Sequence, residues 1–251
     1  MQEETTVGRR GRAAAHAVVI LGMLALSGIG AAVAQSLRVT PVNILLPAGQ
    51  RVATLTVTNE GTSETAVQIR GYAWDQIDGK DTITASSEIV TSPPLATISP
   101  GAAQIVRLML RHKPEGREAT YRLLLDQIPP IDPNPGVTIV TRMSIPIFSQ
   151  PKVRVASHLR FHLERDTTNL YLVVLNDGQC HDVVRDIVLS STDGRQFKAA
   201  PGGLPYVLAG ATRRWPVATR SPLPQPNETM RLTAHTDAGT VEEQVQVVQA
   251  P

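Results

Sequence analysis

The sequence predicts an all-β protein of two sandwich domains. Short runs rich in Val, Ile, Leu and Thr alternate apolar with polar residues along most of the 251-residue chain. Gly, Asn, Asp and Pro interrupt those runs at the intervals expected of turns between strands. Helical spacing of apolar residues is almost absent, and a break near Pro151-Lys152 divides the runs into two sets.

Residues 1–34 stand apart from the fold. Arg9, Arg10 and Arg12 precede the apolar run AAAHAVVILGMLALSGIGAAVAQ, and Ala32 and Ala34 flank Val33 in a small-residue cleavage pattern. That combination predicts a signal peptide cut after Ala34. A membrane anchor would need a longer apolar stretch without interrupting glycines. The residues after the paired arginines, GRAAA, fit ordinary secretion better than the twin-arginine route.

The first set of strands, in a domain expected over 35–151, begins with SLRVTPVNILL and its turn Pro47-Ala48-Gly49. RVATLTVTN follows and ends at Asn59-Glu60-Gly61. TAVQIRGYAWDQI runs into the turn Asp78 to Asp81, and AQIVRLMLR and YRLLLDQI come next. About seven such strands in little over a hundred residues predict an immunoglobulin-like sandwich. The last is VTIVTRMSIPIF, Val137 to Phe148. One of its faces carries Val137, Ile139, Thr141, Met143, Ile145 and Ile147, and the other is mostly polar. Pro146 cannot donate to a ladder and favours a sheet edge. A long apolar edge strand is an aggregation hazard unless it is there to pair with something.

The second set, expected over 152–251, contains VRVASHLRFHLERD, NLYLVVLND, VVRDIVLSS, RRWPVATR, MRLTAHTD and VEEQVQVVQ. Turns at Asn176-Asp177-Gly178, Thr192-Asp193-Gly194 and Asp237-Ala238-Gly239 separate several of them. This predicts a second, smaller β-sandwich.

Bulk properties exclude several functions. With 24 Lys+Arg against 22 Asp+Glu, and the leader holding three Arg and two Glu, the mature chain is near neutral. That is no footprint for nucleic acid, and 4% aromatic residues supply no stacking platform. One cysteine, Cys180, excludes a disulfide within the monomer. No nucleophile elbow, phosphate-binding glycine loop, zinc-binding H-E-x-x-H or C-x-x-C occurs, so neither a catalytic site, a metal nor a cofactor is expected. His158 and His162 share a face, but two histidines do not make a metal site. Cys180-His181-Asp182 sets a thiol, an imidazole and a carboxylate side by side, yet neighbours on a strand point in opposite directions. Trp74 and Tyr121 are read as structural.

Four motifs in order carry a resemblance. TVTNEG (56–61) is similar to an Asn-containing turn after a second strand, and VTSPPLATISPGAAQIVRLML (90–110) to a Pro-Pro element, a Pro-Gly turn and a Val-Arg strand. YRLLLDQIPP (121–130) is similar to a sixth strand, and SIPIFSQPK (144–152) to the end of a seventh. Together they cover most of Ser36 to Lys152, and they resemble the periplasmic chaperones of the pilus chaperone–usher pathway. The second half matches that family in size and β character.

The resemblance implies two immunoglobulin-like domains set at an angle, a periplasmic location and a seventh strand lent to an unfinished pilus subunit before an outer-membrane usher takes it over. The donor residues would be Val137, Ile139, Thr141, Met143, Ile145 and Ile147. Whether the free chaperone shields that strand by self-association is left open by the sequence. Two cations grip the subunit's terminal carboxylate in many members, but those positions here hold Asn43 and Pro146, and Gln150 stands where an inter-domain arginine is usual. The SIPIF ending and the lack of a disulfide resemble the divergent branch that assembles archaic pili and spore-coat-protein-U-like subunits. Arg122 and Arg142 are then the candidate carboxylate anchors. The rival expectations are an adhesin or pilus subunit that is itself assembled, and a secreted β-sandwich enzyme.

Overall fold

The computed structural model describes residues 37–129, 139–153, 156–199, 201–219 and 222–250. The predicted leader lies outside them. Every regular element described is a strand, as the alternation predicts. Ten strands come first: β1 (Leu37–Thr40), β2 (Ile44–Leu46), β3 (Val52–Asn59), β4 (Thr65–Ile77), β5 (Lys80–Ala85), β6 (Ile89–Ser92), β7 (Leu95–Ile98), β8 (Ala103–Leu110), β9 (Ala119–Ile128) and β10 (Arg142–Ser149). They form two sheets, β1-β3-β8-β6 and β2-β10-β9-β4-β5, with β7 on the side of β4. The predicted first strand is broken around Pro41, so that β1 joins one sheet and β2 the other.

Alternate residues of both sheets meet in one core. Leu55 and Val57 from β3, Val67 and Ile69 from β4, Val106 and Leu108 from β8, Leu123 and Leu125 from β9, and Ile145 and Ile147 from β10 are buried together there. Facing rows of this kind are what a period of two produces in a sandwich.

A second set follows: β11 (Leu159–Arg165), β12 (Leu170–Asn176), β13 (Asp182–Val183), β14 (Arg185–Ser190), β15 (Gln196–Ala199), β16 (Tyr206–Val207), β17 (Thr212–Ala218), β18 (Thr229–Thr236) and β19 (Gly239–Gln249). Their pairing path closes as β11-β12-β17-β15-β14-β18-β19, with β13 and β16 paired separately. Leu163, Leu172, Val174, Leu189, Trp215 and Leu232 contribute to its core. The chain is thus two immunoglobulin-like β-sandwich domains.

The two domains repeat one device. Asn59, fully buried, donates to the carbonyls of Ser63 (2.8 Å) and Ile98 (2.9 Å) and accepts from the Gly61 N–H (3.0 Å). Asn176 donates to Cys180 and Val207 and accepts from His158 and Gly178. In each case a buried amide satisfies main-chain groups at the end of a strand, where a turn leaves them without ladder partners.

Candidate functional site

β10 is paired along its whole length on one side only. Its ladder with β9 runs from Arg142↔Asp126 to Ser149↔Ala119. On the other side β2 covers just Ile147–Ser149, in parallel. Over Arg142–Pro146 no strand among the described residues pairs with the outer edge. Pro146 has no N–H, so an open edge there leaves no donor unsatisfied.

The predicted apolar row is divided in two. Ile145 (3% exposed) and Ile147 (0%) are spent on the domain's own core, with Met143 half-buried against it. Thr141 is exposed, and Ile139 is 85% exposed. Val137 lies outside the described residues. Among the described residues regular strand begins at Arg142, because β9 ends at Ile128 and supplies few further partners. Pairing extends one step past the strand: the Gln127 N–H donates to the Thr141 carbonyl (2.9 Å), and the Thr141 N–H to the Gln127 side-chain oxygen (3.2 Å).

Arg122 and Arg142 occupy different surroundings. Arg142 is mostly exposed and bonds Asp126, which Arg70 also reaches at 2.6 Å. Burial pushes the Asp126 carboxyl up, but the hydrogen bonds from Arg142 and Arg70 prevail and hold it below the usual aspartate range. Arg122 sits opposite Pro146 on one side and Tyr72 on the other. It is 3% exposed, with its guanidinium 3.5 Å above the Trp74 ring. Burial lowers its pKa, and its Nη1 is buried without a hydrogen-bond partner.

Trp74 is buried, but not in the sandwich core. It lies on the outer face of the sheet, in a cluster with Phe148 of β10 and with Leu208, Ala211 and Tyr206 of the second domain. Beside that cluster Glu118, at the threshold of β9, accepts from His181, whose ring stacks on Phe148. On the far side Asp81 reaches Arg213 at 3.3 Å. Next to Phe148 a cleft of about 580 Å³ opens, lined in part by Asn43, Leu45, Gln150 and His181. Glu118, His181 and Tyr206 went unread in the sequence as interface residues, since only the fold brings them to Phe148.

Cys180, His181 and Asp182 do not converge. His181 turns to Glu118, while Asp182 accepts from Ser157, the Val183 N–H and the Asp237 N–H. His158 pairs with Asp177 and His162 with Glu164. Among the described residues no group of three or more His, Cys, Asp and Glu is placed to hold a metal ion.

Comparison with known proteins fits this architecture. The amino-terminal domain of the pili and flagellar-assembly chaperones (PapD) matches residues 36–154. The chaperone protein FaeE of Escherichia coli is 31% identical over 120 residues, 47% of this chain and 44% of FaeE. The chaperone protein FimB/FhaD of Bordetella pertussis is 28% identical over 149 residues, 54% of this chain and 59% of that protein. The chain thus spans less than two thirds of the relatives it matches. Among solved structures, the CsuC–CsuE chaperone–tip adhesion subunit complex of the archaic Csu pili of Acinetobacter baumannii aligns with a TM-score of 0.62 and 22% identity, over 86% of this chain and 100% of the other. The YadV chaperone aligns with a TM-score of 0.60 and 15% identity, over 84% and 98%. These two likenesses carry the fold across both domains, and the sequence matches cover about half of the chain. What the chain shares in sequence with the pili and flagellar-assembly chaperones is thus their amino-terminal domain, over residues 36–154, just under half of its length.

Proposed function

We propose that the mature chain is a periplasmic chaperone that captures an unfinished pilus or coat-protein-U-like subunit along the open edge of β10 and passes it to an outer-membrane usher. In this reading residues 1–34 are removed on export, and 35–151 and 152–251 act as the two domains. The single observation that carries it is the open edge itself: Arg142–Pro146 has no second partner strand among the described residues, and the segment leading into it presents Ile139 at 85% exposure. Lending a strand to an incomplete sandwich is an established mode of chaperone–pilin recognition, in which main-chain bonds give affinity and alternate side chains give specificity. Val137, Ile139, Thr141 and Met143 recur every second residue, so they share one face. Burying each large apolar side chain gives about 1.5–3 kcal/mol before ordering costs. Ile145 and Ile147 keep the strand's inner end rooted in its own domain while the outer end serves the guest.

The guest's terminal carboxylate is assigned to Arg122 first. A buried guanidinium nitrogen without an acceptor is costly, and a carboxylate arriving beside Pro146 would supply one. Arg142, exposed but already held by Asp126, is the second candidate. Replacing Arg122→Met keeps the bulk and removes the buried charge, so the free chaperone should be as stable or more so while capture falls on the order of tenfold. Denaturant unfolding and co-purification read the two effects separately.

The deciding experiment is co-purification of the mature chain from periplasm with subunits encoded beside it, wild type against Ile139→Asp. A stoichiometric complex lost in the variant, with the variant still folded and Val140→Asp lacking that selective loss, supports strand donation. Capture that survives Ile139→Asp places the binding surface elsewhere. Failure of the wild type to capture neighbouring subunits would favour a chain that is itself assembled.

A further inference from the structure

We propose that Glu118 and His181 form a clamp that fixes the second domain against the inner end of β10 and so sets the cleft that Phe148 and Gln150 line there, just past the strand's open edge. The main chain and both side chains take part. The Glu118 N–H donates to the Gln179 carbonyl at 2.8 Å. One carboxylate oxygen of Glu118, Oε2, accepts from the His181 N–H at 2.9 Å and lies 2.6 Å from Nδ1 of the same histidine. The imidazole lies flat on Phe148, with ring centroids 3.5 Å apart and planes 11° from parallel. Only 1% of the Glu118 side chain and 15% of that of His181 are exposed.

Position gives this contact its consequence. Phe148 is two residues beyond Pro146, at the point where β2 closes the edge of β10, paired with Leu45 on one side and Thr120 on the other. The clamp therefore grips the strand where its open edge ends. Among the described residues, further side-chain bonds between the domains come from the β4–β5 hairpin: Gln76 bonds Tyr206 and Leu208, and Asp81 reaches Arg213. Those hold the second domain on the far side of the sheet, so that at β10 the clamp adds directional bonds to what is otherwise the apolar packing of Phe148 against Tyr206, Leu208 and Ala211. Truncating Glu118 leaves the His181 N–H and Nδ1 without their acceptor, and truncating His181 takes the stacked ring from Phe148 and the imidazole bond from a buried carboxylate that keeps only the main-chain N–H. Its second carboxylate oxygen, Oε1, is buried without a partner already, so Glu118 depends on His181 to an unusual degree.

The consequence for capture rests on the strand-donation reading; the clamp itself does not. Residual dipolar couplings of the mature chain test it by asking whether both domains fit one alignment tensor. The wild type should fit one. His181→Ala and Glu118→Ala should need two while each domain keeps its native spectrum, because each core is built from its own strands. Glu118→Gln, which retains the acceptor oxygen, should return to one tensor, whereas Glu118→Met, of similar bulk but with no acceptor oxygen, should still need two, a split that mere loss of volume would not predict. Subunit capture should fall on the order of tenfold in the alanine variants. One tensor in either folded alanine variant overturns the clamp. Two tensors with capture unchanged overturn its positioning role. Absence of capture in the wild type would sink the chaperone reading, and the tensors would still decide the clamp.

Discussion

β10 and β19 close their domains in the same way and end differently. Each pairs antiparallel with the strand before it, and each takes a parallel partner over three residues, Ile147–Ser149 with Ile44–Leu46 and Val247–Gln249 with Leu163–Arg165. Each leaves its earlier half without a second partner among the described residues. Matching those ladders sets Ile145 against Val245 and Met143 against Glu243. β19 comes straight out of β18, at Thr236↔Gly239, and carries Glu242, Gln244 and Gln246 on its outward face with Glu243 in the inward row. An inward charge is one of the devices by which proteins blunt an edge. β10 has Met143 at that place and continues backward into exposed Ile139 and Val140. Among the described residues an open edge is therefore common to both domains; it is apolar in one and charged in the other.

The largest effect expected from this comparison is on stability. Ile145 is buried in the first core and Ile139 is not, although sequence puts them in one row. Ile145→Ala should cost about 2–5 kcal/mol in denaturant unfolding. Ile139→Ala should stay within about 0.5 kcal/mol, as an exposed side chain does. Similar costs at the two positions would mean that the row is not divided.

Next in size is the transfer of the blunting device. Met143→Glu gives β10 the residue that β19 carries, and a carboxylate entering an apolar groove is strongly disfavoured. Subunit capture should drop at least on the order of tenfold, read by co-purification, with the midpoint of thermal unfolding moving by only a few degrees. The reciprocal Glu243→Met should expose an apolar edge on the second domain. Its effect is smaller: a concentration-dependent rise in sedimentation coefficient where the wild type shows none from this edge. If neither exchange changes association, edge chemistry is not what distinguishes the domains.

Much of this contrast is legible in sequence. RMSIPIF and VEEQVQVV both alternate, and the change from Met143 to Glu243 can be read directly once the strands are matched. Where β10 becomes regular cannot be read, since that depends on where β9 and β2 end. Short strands such as β5, β15 and β16 also escape, because four to six half-exposed residues, or two, hold too little apolar alternation to register. Trp74 shows a further limit. Its apolar character predicts burial, but not that it is buried on the outer face of a sheet by another domain. Arg122 could be named as a cation near the strand, while its place over Trp74 needed the fold.

The smallest effect is in the acid range, where carboxylates beside the two edges should behave oppositely. Asp126, opposite Arg142, is raised by burial but lowered further by its bonds to Arg142 and Arg70. A depressed carboxyl stabilises the fold above its unfolded pKa, about 3.9, and that contribution is lost as pH falls through the folded value. Arg142 is mostly exposed, so the loss is that of a surface pair, about 0.2–1 kcal/mol. Glu243 is raised by burial. Its protonated form is favoured by folding, so its contribution is full below the unfolded value, about 4.3, and disappears as pH rises through the folded one. Carbon-13 titration of the side-chain carboxyls should place the Asp126 midpoint below that of Glu243 by more than ordinary Asp and Glu differ. Arg142→Ala should move Asp126 upward and leave Glu243 in place. A Glu243 midpoint at or below the ordinary glutamate value would show that its carboxylate is solvated, and β19 would then owe its bluntness to the outward Glu242, Gln244 and Gln246 alone.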